Sequence, residues 1–322
     1  MNSGSGPRLF AALALAASAA LAQDYPSRAV HIVVPSAPGG GYDVIGRLLA
    51  ESFTQQLGAA FVVENRPGAG TLIGTQAVAT APPDGYTLLI GGLANMAFNP
   101  ALHQDMRYDP VRDFAPVAMV GAFTYALVGR RDLPQPTFGE LVDFARAHPG
   151  KLSIATSGIG TGQHISALLL KHYARIDLLE VTYKGAQPAY LDLLAGRVDL
   201  FFDNTTTARP FIADGRVKAY VTSGSVRDAL LPDVPTAAQA GLRDFVLDSW
   251  LGLFAPAKTP AAVIERLRSA THTMLENAEL RRRLEANGWR IISMSREEMQ
   301  AFVKREAQKW PPVLRQAGIR PQ

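Results

Sequence analysis

A short β-branched strand that runs into a glycine-rich turn and then into a helix occurs twice in this chain, once in each half. Such a chain folds as layers of helix over sheet. In the first half, Val-His-Ile-Val-Val at 30–34 stops at Pro35 and gives way to Gly39, Gly40 and Gly41. Val44, Leu48, Leu49 and Phe53 then recur at helical spacing until Gly58 ends the run. In the second half a strand over 151–155 leads through the turn at 158–162 into a helix over 164–173. Further strands at 61–63 and 86–90 enclose a helix at 73–78. A helix at 137–147 opens the second half, where strands at 179–183, 198–202 and 217–221 alternate with helices at 188–195 and 206–213. This alternation predicts an α/β fold with a parallel sheet in each half, covered on both faces.

From Leu251 the pattern changes. One strand at 251–254 precedes amphipathic helices over 260–275 and 296–314, too little strand for a third sheet. These helices are expected to return to the first unit, so that the chain crosses near 123–127 and again near 221–227. Domain 1 then comprises 23–124 and 225–322, domain 2 comprises 125–224, and a ligand cleft lies between them. Closure about paired crossings is a standard way to bury a ligand.

Arg8 precedes an apolar run over 9–21 that ends in Ala20-Leu21-Ala22, the layout of a secretory signal with cleavage expected before Gln23. The run falls short of the roughly 20 residues that a helix needs to cross a bilayer. The mature chain is therefore expected in the periplasm. The full sequence, with 48% hydrophobic and 19% charged residues, has the composition of an ordinary globular protein. The formal charge of +4, less one with Arg8 removed, is dispersed except at Arg281-Arg282-Arg283, which reads as a solvated helix face and argues against nucleic-acid binding. The absence of cysteine removes disulfides, thiolate metal sites and thiol nucleophiles, and the six histidines show no metal-binding spacing.

The two glycine-rich loops, Pro38 to Asp43 and Ser157 to Gly162, place side-chain-free backbone at a strand's carboxyl end and a helix's start. Amide groups there make an anion site, and one loop from each half would grip a carboxylate from both sides. Neither loop is a dinucleotide fingerprint, because Val44 and Gln163 stand where its third glycine would fall. Asp203 ends an apolar strand, where open α/β sheets bind ligands, and is read either as a ligand acceptor or as a helix cap. Lys184 ends another strand and could pair with an anion. Ser157, His164 and Asp203 could meet as a hydrolase-like trio, although no G-x-S-x-G elbow occurs.

At these residues the chain resembles the substrate-binding proteins of tripartite tricarboxylate transporters, the Bug or TctC-like family. The matching pieces are Tyr25-Pro26, Val34-Pro35 with Ala37-Pro38-Gly39-Gly40-Gly41 and Asp43, and Glu64-Asn65-Arg66-Pro67-Gly68-Ala69-Gly70. Asp84-Gly85-Tyr86, Tyr183-Lys184-Gly185, Gly196-Arg197-Val198-Asp199, Leu231-Pro232-Asp233-Val234-Pro235-Thr236 and Gly252-Leu253-Phe254-Ala255-Pro256 follow in order. The resemblance implies a two-domain Venus-flytrap fold of the periplasmic-binding-protein type. It implies no catalysis, no cofactor and no metal, and a monomer that hands its ligand to membrane permease subunits. It picks out Gly39, Gly40, Gly41 and Asp43 in the first domain and Ser157, Gly158, Gly160, Thr161 and His164 in the second, with Asp203 beside them and Asn95 as an addition. The chain departs from the family pattern at Ser36, Tyr42 and Lys258, and Tyr42 at the loop mouth would narrow the pocket or stack on an aromatic acid. The expected function is capture of a small carboxylate-bearing molecule. An extracytoplasmic sensor for a two-component system and a periplasmic hydrolase are the alternatives.

Overall fold

The structure is a computed structural model that describes residues 25–319; the expected signal sequence lies outside the described residues. The first sheet is built from β1 (Val30–Val34), β2 (Phe61–Asn65), β3 (Thr87–Gly92), β4 (Phe114–Phe123), β10 (Ser249–Pro256) and β11 (Arg290–Ile291), in the spatial order β11-β4-β10-β3-β1-β2. The second contains β5 (Tyr125–Arg130), β6 (Ser153–Thr156), β7 (Leu179–Thr182), β8 (Leu200–Asn204) and β9 (Val217–Thr222), in the order β7-β6-β8-β5-β9.

The sheets are mixed, which corrects the expectation of parallel ones. β1 runs parallel to β2 and β3, and β6 parallel to β7 and β8. In contrast β10 is antiparallel to β3 and β4, and β5 is antiparallel to β8 and β9. The antiparallel members are the strands that carry the chain from one sheet to the other: β4 passes to β5 through Thr124 alone, and β9 leads back to β10. Neither β4 nor β5 was legible in the sequence. The run over Phe114 to Phe123 holds Pro116 and Gly121, both poor strand formers, and the register against β10 shifts where Pro116 lies opposite Phe254.

The helices follow their sequence signals more closely. α1 (Gly41–Leu57) buries Ile45, Leu49 and Phe53 against β1, whose valines and Ile32 are fully buried, and Phe53 meets Phe61 edge to face at 5.1 Å. Gly58 ends α1 in the left-handed region at φ 73°, where its amide returns to Thr54 O. α2 (Leu72–Ala79) follows β2, and a π turn over Ala94–Phe98 runs into the short α3 (Asn99–Leu102). On the second sheet lie α4 (Phe138–Ala147), capped by Thr137, then α5 (Gly162–Ala174), α6 (Ala186–Leu194) and α7 (Thr205–Ala213).

After β10, α8 (Ala261–Glu276) packs on α1 and β4, and α9 (Ala278–Ala286) leads to β11. α10 (Arg296–Gln316) opens with a full capping box between Ser295 and Glu298 and packs on β4 and the π turn. Its Trp310 meets Phe98 edge to face at 5.0 Å. Glu306 Oε2 accepts hydrogen bonds from Trp310 Nε1 (2.9 Å) and Trp250 Nε1 (3.3 Å), pinning the last helix to β10.

α2 packs tightly on the segments after β1 and β2 at Gly74. A Cβ there would lie 2.8 Å from Arg66 O and 2.9 Å from Pro35 Cα, both backbone atoms with little room to yield. Gly74→Ala is expected to destabilise the protein by about 1–3 kcal/mol, read as a lower urea midpoint. An unchanged midpoint would show that this junction relaxes freely.

Candidate functional site

Four helices begin at one place. α1 starts after Gly40, α5 after Thr161, α6 after Gly185 and α7 after Asn204, and residues from all four starts line a single cavity of about 450 Å³ between the two sheets. The first amides of a helix have no acceptor within it, and the helix dipole adds partial positive charge at that end. The cavity therefore gathers backbone donors from one helix of the first sheet and three of the second. Among the described lining residues Lys184 is the one cation and Asp203 the one acid. Phe98, Phe123, Leu93 and Pro188 supply apolar wall.

Of the residues picked out in the sequence, Gly39, Gly40, Gly41, Tyr42, Ser157, Thr161 and Asp203 line this cavity. Gly40 borders open space: a Cβ there would have nothing nearer than Ala37 O at 4.0 Å. Gly39 takes φ 87°, a conformation costly for other residues, and its N–H donates to Asp43 Oδ2 at 2.9 Å.

The others stand behind the wall. Asp43 is buried, and its carboxylate accepts from Arg47 Nε (2.9 Å) and Asn65 Nδ2 (2.9 Å) as well as from Gly39. Burial opposes its ionisation, but the Arg47 guanidinium, the Gly39 amide and Asn65 together hold it below the ordinary carboxylate range. Its carboxylate braces the first loop, and Asp43 is not among the residues that line the cavity. Asn95 is likewise internal: its Oδ1 accepts from Gly92 N–H (2.7 Å) and from the Tyr42 hydroxyl (3.4 Å), and its Nδ2 donates to Thr75 Oγ1 (3.0 Å). Tyr42 thus directs its hydroxyl inward to Asn95, leaving the ring in the wall; burial raises its pKa well above the usual phenol range.

In the second loop, Gly158 O accepts from Thr161 Oγ1 (2.7 Å), and Gly160 N–H points to His164 Nδ1 (3.2 Å). His164 Nε2 faces Glu180 Oε2 at 3.5 Å, and Lys171 Nζ reaches Glu180 Oε1 at 2.8 Å. These two neighbours, His164 first, draw the Glu180 carboxyl down to about 2 against the opposing effect of its burial. The hydrolase-like trio does not assemble: Ser157 Oγ bonds Thr161 Oγ1 (3.3 Å), His164 is held by Gly160 and Glu180, and Asp203 accepts from Gln163 Nε2 (3.2 Å).

Asp203 is 1% exposed at the end of β8, and its Oδ2 has no hydrogen-bond partner. Desolvation lifts its pKa from the ordinary 3.8 to about 7, only partly countered by the Asn204 amide, Gln163 and Tyr190.

The sequence reading did not single out Tyr125, Gln163, Gln187, Thr207 and Ser249, all of which line the cavity. Gln163 and Gln187 lie in the first turns of helices that the glycines announce, so a local signal existed for them. Tyr125 and Ser249 open β5 and β10, and no local pattern brings two strand starts 124 positions apart to one wall.

Two α/β sheets joined by paired crossings, with helix starts converging on the cleft between them, define a solute-binding protein of the two-domain periplasmic-binding-protein fold. Residues 45–319 match the family described as "Tripartite tricarboxylate transporter family receptor", and the chain belongs to that family. It is a family of receptors and not of enzymes. The periplasmic binding protein BugD superposes with TM-score 0.84 at 35% identity, over 92% of this chain and all of that one. Rpa4515 of R. palustris, solved with adipate, gives TM-score 0.86 at 32% identity over 93% of this chain and 100% of that one. MatC of Rhodopseudomonas palustris, solved with malate, gives 0.82 at 34% identity over 90% and 100%.

Two outcomes follow from this geometry. Gly40→Val, at a position with room for a side chain, is expected to leave the melting temperature nearly unchanged while weakening ligand binding at least about tenfold by blocking approach to the amides; calorimetry with unimpaired affinity would remove this loop from the site. Because the folded state holds the Asp203 proton up to about pH 7 and the unfolded chain only to 3.8, Asp203 adds a loss of stability as pH rises between those values. Asp203→Asn should remove that loss, so that the variant gains on the parent by about 1 kcal/mol or more at pH 8 and not at pH 4. Urea unfolding at the two pH values measures the difference.

Proposed function

We propose that this chain is an exported periplasmic receptor that captures a small carboxylate-bearing molecule in the cleft by closing domain 1 (23–124 and 225–322) on domain 2 (125–224). It then delivers the molecule to the permease subunits of a tripartite tricarboxylate-type transporter. The observation that carries the reading is the convergence of four helix starts, with Lys184, on one cavity between the sheets. Carboxylates are what such an array of backbone donors holds, and it does so with few charged side chains. The solved relatives that carry adipate and malate support the same ligand class.

In this reading Gly39, Gly40 and Gly41 form one jaw, Ser157, Thr161 and Gly162 the other, and Asp203 with Gln163 the floor. Gly158, Gly160 and His164 act by shaping the second jaw, as Asp43 and Asn95 do for the first. The family name points to the membrane partner, and the signal sequence expected over 1–22 points to export.

The test is a thermal-shift screen of refolded mature protein against mono- and dicarboxylates, aromatic acids, acidic amino acids and citrate. A ligand at 100 times its dissociation constant should add about 2.7 kcal/mol of stability. Hits confined to carboxylates, bound and not consumed, are the expected result; no hit across the panel would sink the carboxylate assignment. Uptake of the hit should fall to background in cells lacking this chain, and undiminished uptake would refute the transport role.

A further inference from the structure

Asp203 is the feature of the cleft that a simple anion receptor does not explain. A carboxylate in a cavity otherwise lined by donors and apolar side chains ought to repel an anionic ligand, yet Asp203 lines it with its Oδ2 buried and without a hydrogen bond of full geometry. The groups around it can be named element by element. From α6, the buried Tyr190 hydroxyl faces it closely enough to favour the ionised carboxyl, although neither that hydroxyl nor Asp203 Oδ2 makes a hydrogen bond of full geometry. From β5, where Ala126 pairs with Asp203 in register, the buried Tyr125 is the nearby titratable group. α5 contributes the neutral Gln163, and the head of α7 the Asn204 amide. On β6, Ala155 lies opposite Phe201 and brings no charge. No cation among the described residues pairs with the carboxyl; Lys184 lines the same cavity ahead of α6.

A carboxyl so buried, with one oxygen unsatisfied and no counter-charge, favours its neutral form, and a neutral carboxyl is a hydrogen-bond donor. We propose that Asp203 holds a proton in the occupied cleft and donates it as a hydrogen bond to a ligand carboxylate, so that capture of the anion draws one proton from solvent wherever Asp203 was ionised beforehand. The donor turns the one repulsive group of the wall into a specificity contact: it accepts a carboxylate and disfavours a ligand ammonium, which would need Asp203 ionised. The inference rests on the carboxylate-receptor reading, and its first test does not need a ligand.

Carboxyl-¹³C labelling of aspartate, with the Asp203 signal assigned through Asp203→Asn, reports its titration in the free protein. A midpoint near 7 is expected, in line with its burial; a midpoint at or below 5 overturns the proposal whether or not any ligand binds. Calorimetry with adipate and with malate then follows the occupied state. If only the protonated receptor binds, affinity falls about twentyfold between pH 6.5 and pH 8.5. Measured in buffers of differing ionisation enthalpy, binding should take up close to one proton at pH 8.5 and far less at pH 6.5.

In Asp203→Asn, whose amide donates without titrating, the affinity should be equal at the two pH values; Asp203→Ala, with no donor, should bind more weakly than Asp203→Asn at both. Affinity that is flat or rising with pH in the parent overturns the proposal, as would an acidic amino acid bound more tightly at pH 8.5, the signature of an ammonium on ionised Asp203. If neither adipate nor malate binds at any pH, the proton donation to a dicarboxylate is overturned, while a midpoint near 7 would still uphold the neutral carboxyl in the free cleft.

Discussion

A single residue, Thr124, separates β4 of one sheet from β5 of the other, and the geometry of the cleft depends on how it is held. Its Oγ1 donates to Asp228 Oδ2 at 2.6 Å, and its carbonyl accepts from Thr205 N–H at 3.2 Å. One residue further, Tyr125 N–H donates to Ser223 Oγ at 3.0 Å, and Ser223 Oγ in turn donates to Leu247 O at 2.7 Å. The outgoing crossing is thereby laced to the returning one and to the first residue of α7. With so short a connector, the relative placement of the two sheets is set by this buried hydrogen-bond group and not by a flexible linker.

The helix starts follow from that placement. In each unit the parallel strands β1 and β6 deliver the chain to a glycine loop at the same edge, and the helix after it must turn back over the sheet. Its N-terminus is then left pointing at whatever lies beyond the strand ends. When two such edges face one another, their donors meet, and an anion is the natural occupant of the space. The side chains that sequence reasoning assigned to ligand contact, Asp43 and Asn95, turn out to keep this backbone in shape: each uses its polar atoms on the loop and turn behind the wall.

The division between what could and could not be read from the sequence follows the range of the interactions involved. Helix α1, with its glycine stop, and β1, with its β-branched run, are local patterns and were visible. So were the two loops, since a glycine cluster after a strand has few other uses. β4 and β5 were not: Pro116 and Gly121 weaken the strand signal of β4, and the pairing partners of both strands come from far along the chain. Asp203 could be placed at a strand end but not given a chemistry, since its elevated pKa arises from burial that only the assembled second unit creates.

Phe123 belongs at once to the cleft wall and to the end of the crossing strand, where it rests edge to face on Trp289 at 4.9 Å and on Tyr125 at 5.5 Å. The backbone amides that hold a carboxylate cannot sense what is attached to it, but this aromatic stack can. A bulkier tail pressing on Phe123 presses on the pivot as well. In the proposed receptor, molecules of different girth would then set the two halves at different angles, and the outer face would carry a record of the cargo inside.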